Sequence, residues 1–493
     1  MKRPLRRVGT VITVLIVLLL ANITYIQVVK AAAYRNDPTN QRTANAEYSR
    51  ARGAITTAQG TVLAQSVPSD DNLKYQRNYP MGAVYGSVTG YFSSLYGATG
   101  IEQSQGPILS GTDENLVGDR FSDLLTGRDP RGGGVQLTIV DAVQQAAYNG
   151  LKDKNFVGAV VAIKPSTGAI LALATYPSYD PTLLASHSET VQKAESKRIN
   201  SSSPSVRLNR ATAAVYPPGS TFKLVVAGAA LQKGYTPTSA VTGVSKMTLP
   251  GTGGATLSNF GGEDCAGGGG ADVTLTQALA HSCNTAFASL GIALGADPIR
   301  KQATALGVQP AGFSVGIPVV GSRVGVLPDK AAVAQSSIGQ RDVALTPMQN
   351  AIIAATIADH GQGMTPFLVD RTTKPDLSVI SATKPTPVTP LSMPNSVADQ
   401  IRDMMIQSEK DSVGANPFAG VVIASKTGTA EHGSDPKKTP PHAWYVAFAP
   451  ADNPQVAVAV LVENGGDRGL EATGGSVAGP IGRAVISAAL TGQ

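Results

Sequence analysis

The sequence is poor in the residues from which metal sites and disulfide scaffolds are built. Its 493 residues include only two cysteines and five histidines. Two thiols are too few for a disulfide-stapled scaffold or a four-thiolate zinc site. The histidines never fall at the short spacings of metal-binding motifs, since they stand at His187, His281, His360, His432 and His442. The composition therefore argues against a metalloenzyme.

Charged side chains are also scarce, at 15% of the residues against roughly 25% in an average soluble protein. The net charge of +6 does not describe a basic surface, because residues 1–30 hold five bases and no acid. The other 463 residues carry 35 bases and 34 acids, so no basic stripe remains to neutralise phosphates. We therefore expect no nucleic-acid partner.

The N-terminal segment has the pattern of a membrane anchor. Val8 to Val29 is an uncharged run of 22 residues. As a helix it would span about 33 Å, enough for a hydrocarbon core of roughly 30 Å. Four bases precede this run, which predicts a cytoplasmic N-terminus and an extracytoplasmic location for everything after Lys30. The alternative is a cleaved signal peptide, because small residues follow at 31–33, but the length of the run favours a retained single-pass anchor in the cell membrane.

An extracytoplasmic location bears on the two cysteines, Cys265 and Cys283, because disulfides persist outside the cytoplasm. A bridge would close a 19-residue loop and stabilise the fold by about 3 kcal/mol. Two free thiols are the alternative.

The remaining chain divides into two parts by composition. Residues 31 to about 135 are polar and rich in Tyr, Gly and Ser, without a catalytic pattern. The segment 127–134, GRDPRGGG, is typical of a linker, because Gly and Pro interrupt periodic structure. We predict a tail and anchor at 1–30, a non-catalytic N-terminal domain at 31–135 and a main domain at 136–493.

The main domain shows strand patterns at both ends and helical patterns between them. A helix is predicted at 141–151, a hairpin at 158–175, and a long helical stretch from about 205 to 410 that is broken by Gly-rich loops, among them a surface loop at 251–270. Strands at 421–430, 443–449 and 455–463 and a helix from about 476 to 490 complete it. This order predicts an α+β fold in which the terminal strands share one sheet.

One short motif offers a nucleophile beside a base. Ser220 and Lys223 follow Tyr-Pro-Pro-Gly and precede an apolar run that stops at Gly234, which predicts that Ser220 opens a helix. The three-residue spacing then places the amine on the same face as the hydroxyl. The pattern also occurs at Ser381 and Ser434, but in Pro-rich segments that open no helix.

Two further motifs raise the specificity of this pattern. Ser282-Cys283-Asn284 lies 62 residues beyond Ser220, and Lys426-Thr427-Gly428 a further 144 residues on. Each occurs once in the chain. The three in this order are the motif set of penicillin-binding proteins and class A β-lactamases.

With these motifs the chain resembles the class B penicillin-binding proteins, over roughly residues 45–490, and its short length is most similar to the A type of actinobacteria. The segments that carry the resemblance outside the three motifs are RARGAI (50–55), GAVVAIKPSTGAILALATYPSYDP (158–181), SIGQRDVALTPMQNA (337–351) and KTGTAEH (426–432). The resemblance implies a transpeptidase domain with a helix-flanked antiparallel sheet and an all-helical lobe, preceded by a transmembrane helix and a small pedestal domain. It also implies a membrane-embedded glycan polymerase of the SEDS type as a partner.

Acyl transfer needs an activated nucleophile, a proton path and stabilisation of an oxyanion. Ser220 is the predicted nucleophile and Lys223 its base, with its pKa lowered by burial and by the cation of Lys426. Ser282 is predicted to relay the proton to the leaving amine, and Asn284 to hold the substrate's amide.

The third motif is predicted to bind the substrate. Lys426 and Thr427 would bind its carboxylate, and the backbone beyond Gly428 would pair with an extended peptide. The resemblance implies an oxyanion hole made by the N–H groups of Ser220 and Thr429, and a peptidoglycan stem peptide ending in D-Ala-D-Ala as substrate, with β-lactams as acylating inhibitors. Neither cofactor nor metal is required.

Three alternatives remain at this point. A class A β-lactamase needs a glutamate that activates water between the second and third motifs, where the only glutamate is Glu409, late in a predicted helix. A D,D-carboxypeptidase shares the first half-reaction and differs in the acceptor. A catalytically silent scaffold for wall synthesis is disfavoured by three intact motifs.

Overall fold

The chain folds into helices and two main sheets, and this mixture confirms the α+β class. The architecture was obtained as a computed structural model. It describes residues 2–30, 48, 50–118, 123, 126–127, 131–412, 418, 420–435 and 438–492.

The N-terminal apolar run is helical, as an α-helix over Lys2–Thr24 that continues as π-helix over Tyr25–Val29. The span Arg7–Val29 has a mean hydropathy of 2.3 and is the one helix among the described residues long and apolar enough to cross a membrane. None of its apolar window is buried against the rest of the protein. Such a helix fits a single-pass membrane protein, because lipid rather than water suits its exposed apolar surface. The residues at 31–33, on which the signal-peptide alternative rests, lie outside the described part.

An antiparallel five-stranded sheet forms the centre of the main domain. Its strands, in spatial order, are Ala424–Ala430, His442–Ala449, Val456–Val462, Gly158–Ile163 and Ile170–Tyr176. The pairing of Val456–Val462 with Gly158–Ile163 confirms that strands from both ends of the domain share one sheet. This order leaves Ala424–Ala430, which carries the Lys-Thr-Gly motif, at an edge.

Both faces of this sheet are covered, because successive side chains in a strand point to opposite sides. Val161 lies in the core shared with the helical lobe. Val160, its neighbour, packs with the helices Asp141–Lys152 and Gly479–Thr491 on the other face. The predicted helices at 141–151 and 476–490 are thus confirmed, although the second begins as a π-helical turn at Gly474–Ala478.

The helical lobe packs on the face of the five-stranded sheet to which Val161 points. Its helices are Lys223–Gln232, Leu275–Ala280, Asn284–Leu294, Ala296–Ala305, Lys330–Ser337, Pro347–Ala358 and Asn395–Ser412, and Glu189–Asn200 precedes them. The Gly-rich loop at 251–270 contributes the strand Thr256–Ser258 to a two-stranded hairpin. The other strand, Lys246–Thr248, precedes the loop, and the residues of both strands are mostly exposed.

The predicted helical stretch is wrong at residues 369–382. This segment forms two antiparallel strands, Val369–Thr373 and Val379–Ala382. Their β-branched residues and the polar turn between them outweigh helical propensity. Ser381, one of the two other Ser-x-x-Lys serines, lies in the second of these strands and opens no helix.

These two strands extend a second, six-stranded sheet in the N-terminal region. The order is Val379–Ala382, Val369–Thr373, Gly134–Leu137, Ile55–Thr56, Val62–Pro68 and Tyr75–Asn78. Three short helices accompany it at Gly86–Thr89, Gly100–Ser104 and Gly106–Leu109. The boundary that we drew after residue 135 falls inside one strand, and a segment from beyond that boundary completes the sheet.

The predicted linker at 127–134 is wrong over residues 131–134; residues 128–130 lie outside the described part. Arg131 forms a bridge with Ala51, and the N–H of Gly133 donates to the carbonyl of Ile108 at 2.9 Å. A Cβ at Gly132 would lie 1.6 Å from the carbonyl oxygen of Leu109. These glycines allow close backbone packing rather than flexibility.

Candidate active site

Ser220 lies in a single 3₁₀ turn, Gly219–Phe222, and the α-helix starts at Lys223. The prediction that Ser220 opens the α-helix is therefore displaced by one turn. In a 3₁₀ turn, side chains three residues apart eclipse each other, so Lys223 and Ser220 lie on the same side of the turn. The turn enters through Gly219 at φ +53°, a conformation that favours glycine.

The amine of Lys223 is the centre of the site. Its Nζ lies 2.9 Å from Ser220 Oγ and donates to the Ser282 carbonyl at 2.7 Å and to Asn284 Oδ1 at 2.8 Å. The side chain is fully buried. The first two motifs thus meet at one nitrogen, although 62 residues separate them in the chain.

Ser282 joins this amine to the third motif. Its Oγ lies 3.3 Å from Lys223 Nζ and accepts a hydrogen bond from Lys426 Nζ at 2.9 Å. Lys426 also donates to the carbonyl of Thr427 at 2.8 Å. A single hydroxyl between two amines has the geometry of a proton relay.

Both lysines are buried, and burial disfavours their charged forms. The pKa of Lys223 lies well below its ordinary value, first because of burial and then because of the positive charge of Lys426. Burial lowers the pKa of Lys426 to about 7. Burial therefore favours the neutral form of Lys223, which is the form that a general base for Ser220 requires.

The edge strand approaches the nucleophile turn at two glycines. A Cβ at Gly219 would lie 2.7 Å from the carbonyl oxygen of Thr429, and one at Gly428 would lie 3.0 Å from both the Pro218 carbonyl and a methyl of Thr221. Trp444 supports this approach from the neighbouring strand, since its Nε1 donates to the Pro217 carbonyl at 2.9 Å. The backbone of the turn and of the strand are thus held in direct contact.

The second motif is fixed from the Gly-rich loop. Cys265 and Cys283 form a disulfide with a Cα–Cα distance of 5.5 Å. The carbonyl of Ser258 accepts from Asn284 Nδ2 at 3.1 Å, which turns Oδ1 of the amide toward Lys223. Ser282 has φ +59°, a strained conformation for a residue with a side chain.

Glu409, the residue that a lactamase would require, faces away from this chemistry. Its Oε1 lies 2.6 Å from Arg483 Nη2. Its Oε2 accepts from Tyr445 OH at 2.9 Å and from Ser425 Oγ. These three partners belong to the sheet and the C-terminal helix, so Glu409 is a buried structural carboxylate.

The structure brings five of the predicted site residues into one hydrogen-bonded group: Ser220, Lys223, Ser282, Asn284 and Lys426. The remaining three, Thr427, Gly428 and Thr429, lie on the adjoining edge strand. Sequence reasoning missed the Ser258 carbonyl, which accepts a hydrogen bond from Asn284 Nδ2. Among the described residues, no group of three or more His, Cys, Asp or Glu is placed to hold a metal ion.

The geometry defines a serine acyltransferase site of the penicillin-recognising type, and comparison with known proteins assigns the chain to a family. Residues 158–487 match the Penicillin binding protein transpeptidase domain, and residues 52–135 match the Penicillin binding protein A dimerisation domain. The chain belongs to the penicillin-binding protein transpeptidase family.

Full-length relatives support the same assignment. The peptidoglycan D,D-transpeptidase PbpA of Mycolicibacterium smegmatis is 50% identical over 493 residues, covering 99% of each chain. PbpA of Mycobacterium tuberculosis H37Rv is 49% identical over 500 residues, covering both chains completely. A solved structure of penicillin-binding protein A from M. tuberculosis, a ceftriaxone acyl-enzyme complex, superposes with a TM-score of 0.88 at 49% identity and covers 91% of this chain and all of that one. The resemblance to the A type that the length of the chain indicates is thereby confirmed.

Proposed function

We propose that this protein is a peptidoglycan D,D-transpeptidase, which cross-links stem peptides ending in D-Ala-D-Ala during cell-wall synthesis in growth and division, and which β-lactams acylate. The observation that carries the proposal is the 2.9 Å contact between Lys223 Nζ and Ser220 Oγ in a buried site. The transpeptidase names of the relatives and the β-lactam acyl-enzyme of the M. tuberculosis protein support it.

In the first half-reaction Ser220 Oγ attacks the carbonyl carbon between the two D-Ala residues. Lys223, neutral before attack, takes the hydroxyl proton. The proton passes by way of Ser282 to the departing amine, the C–N bond breaks, and the terminal D-Ala leaves. Asn284 holds the substrate's amide beside the forming ester.

The edge strand binds and polarises the substrate. Lys426 and Thr427 bind its terminal carboxylate, and the backbone from Gly428 onward pairs with the extended peptide as an added strand. The N–H groups of Ser220 and Thr429 stabilise the oxyanion. This role is supported by the contact between Gly219 and Thr429, which keeps the two N–H groups on adjoining backbones.

In the second half-reaction an amine of a neighbouring stem attacks the ester carbonyl. A new amide forms and the Ser220 oxygen leaves. Lys223 carries the proton lost by the amine to that oxygen. The two stems are then cross-linked. Water in place of the amine gives the D,D-carboxypeptidase reaction.

The arrangement across the membrane is part of the proposal. The bases ahead of Val8 keep the N-terminus in the cytoplasm, so the site lies outside, where peptidoglycan is built. The N-terminal domain predicted at 31–135 is a non-catalytic pedestal that contacts a membrane-embedded SEDS-type glycan polymerase. Accessibility of single-cysteine labels on intact cells tests the orientation: labelling of the pedestal by an impermeant reagent supports it, and its absence refutes it.

The function is tested with a fluorescent penicillin and the full chain in detergent. We expect a stable ester on Ser220, mapped by mass spectrometry, and no labelling of Ser220→Ala. Ser381→Ala is the matched control, because it removes the serine of another Ser-x-x-Lys sequence and should label like the parent. Labelling that survives in Ser220→Ala contradicts the site.

The acceptor is tested separately. With a synthetic D-Ala-D-Ala stem peptide and an excess of acceptor amine, a transpeptidase forms a cross-linked product. If D-Ala is released but no cross-link appears, the protein is a carboxypeptidase. If neither product forms while the penicillin ester does, the scaffold hypothesis gains support.

A further inference from the structure

A sharp turn at Gly339 and Gln340 lies between the nucleophile turn and the edge strand. It follows the helix Lys330–Ser337 in the segment SIGQRDVALTPMQNA. None of the three catalytic motifs includes it. We call it the Gly339–Gln340 turn.

Gly339 contacts the turn that carries Ser220. The N–H of Gly219, one residue before the nucleophile, donates to the carbonyl of Gly339 at 3.0 Å. Gly339 has φ +72°, and a Cβ there would lie 2.0 Å from the carbonyl oxygen of Gly219. The contact is therefore backbone against backbone, without space for a side chain.

Gln340 contacts the end of the edge strand. With the amide nitrogen turned toward the carbonyl, its side chain donates to the oxygen of Glu431 at 3.1 Å and accepts from the N–H of Glu431 at 3.0 Å. Glu431 directly follows the edge strand Ala424–Ala430. The side chain thus occupies the backbone groups that a further strand residue would offer.

The turn is itself anchored to a buried helix. The N–H of Gln340 donates to the carbonyl of Gln335 at 3.2 Å, and its own carbonyl accepts from Val343 at 3.4 Å. Ser336 and Ser337 of that helix are buried. The Gly339–Gln340 turn, anchored in this way, therefore contacts both the turn that carries Ser220 and the end of the strand that carries Thr429.

We propose that Gln340 is a positioning residue for acyl transfer. Together with Gly339 it fixes the distance between the nucleophile turn and the edge strand, and hence between the N–H groups of Ser220 and Thr429. The inference rests on the proposed function, because those two groups form the oxyanion hole in it. Gln340 touches neither substrate nor the reacting atoms in this scheme and acts through the backbone of Glu431.

The proposal makes a kinetic distinction. If the two N–H groups of the oxyanion hole are wrongly spaced, they stabilise the transition state less. The initial non-covalent complex depends instead on the substrate carboxylate and on pairing with the edge strand. Loss of Gln340 therefore lowers the acylation rate constant k2 and leaves the dissociation constant Ks of the first complex nearly unchanged. Removing an oxyanion donor outright costs about 10²–10³-fold, so a displaced donor is expected to cost about 10- to 100-fold.

The test variant is Gln340→Met, which keeps the length of the side chain and removes both hydrogen bonds. Gln340→Glu retains an acceptor for the N–H of Glu431 and lacks the donor for its carbonyl, so an intermediate loss is expected. Gln362→Met is the matched control, because the Gln362 amide also bonds only backbone, at 2.8 Å to the carbonyls of Gly363 and Val388. Stopped-flow acylation by a fluorescent penicillin gives k2 and Ks for the full-length variants, and thermal unfolding is recorded alongside.

A second readout reports the hole directly. The ester carbonyl of the penicilloyl enzyme absorbs at higher infrared frequency when its hydrogen bonds weaken, so Gln340→Met should raise it and Gln362→Met should not. A k2 within twofold of the parent, or an unchanged carbonyl band, overturns the proposal. A fall in k2 that is matched by Ks and by thermal stability, or failure of both Gln340 variants to fold, makes the residue merely structural and also overturns it. Labelling of Ser220→Ala refutes the proposed function instead, so the two failures are distinguishable.

Discussion

Replacing Glu409 by glutamine removes a buried negative charge and keeps the volume of the side chain. In the parent protein Oε1 of Glu409 lies 2.8 Å from Arg483 Nε and 2.6 Å from Nη2, and the two side chains are 3% and 12% exposed. Loss of one partner from a buried ion pair costs about 3–5 kcal/mol. We expect Glu409→Gln to lose about this much free energy of unfolding.

Urea unfolding, followed by the fluorescence of Trp444, measures this loss, since Trp444 is the only tryptophan and is fully buried in the neighbouring strand. The double variant with Arg483→Met removes both charges of the pair. Its destabilisation should therefore be smaller than the sum of the single effects by about 1–3 kcal/mol. Additive losses, or a Glu409→Gln variant within about 1 kcal/mol of the parent, would refute the argument for a buried ion pair.

Two further predictions concern the site. The pKa of Lys426 is lowered to about 7, and that of Lys223 lies well below its ordinary value. The second-order acylation constant for a carboxylate-bearing penicillin should therefore fall about tenfold per pH unit above about pH 7, because Lys426 loses its charge, and it should also fall in acid, because Lys223 gains a proton. A flat profile from about pH 6 to about pH 9 contradicts this prediction. Cys265→Ser should cost about 3 kcal/mol of stability and slow acylation, because Cys283 stands between two residues of the site. Urea unfolding measures the stability and stopped-flow labelling measures the acylation rate. An acylation rate equal to that of the parent protein would show that the disulfide does not support the site.

The chemistry of the site could be predicted from the sequence because each motif is local. Proline and glycine before Ser220 and an apolar run after it already place a lysine one turn beyond a hydroxyl. The relation between the three motifs came from their order along the chain. Their meeting around Lys223 Nζ and Ser282 Oγ depends on the packing of the helical lobe against the sheet, which no local pattern contains.

Long-range backbone pairing accounts for most of what sequence reasoning got wrong. Residues 369–382 have a strand composition, but their partner is Gly134–Leu137, more than two hundred residues earlier. The glycines at 132 and 133 resemble flexible linker residues, yet they are there because a carbonyl lies where a side chain would be. Gln340 was overlooked for a similar reason, since its partner is the backbone of a residue 91 positions away.

The sheet that mixes early and late strands limits how this protein can be shortened for crystallography or inhibitor screening. A fragment that begins at 158, where the match to the transpeptidase domain begins, keeps Val369–Thr373 and deletes the strand beside it. That cut would expose a row of unpaired backbone groups, which templates aggregation. A soluble version should therefore begin between the lipid-facing helix and residue 48, so that every strand retains its neighbour.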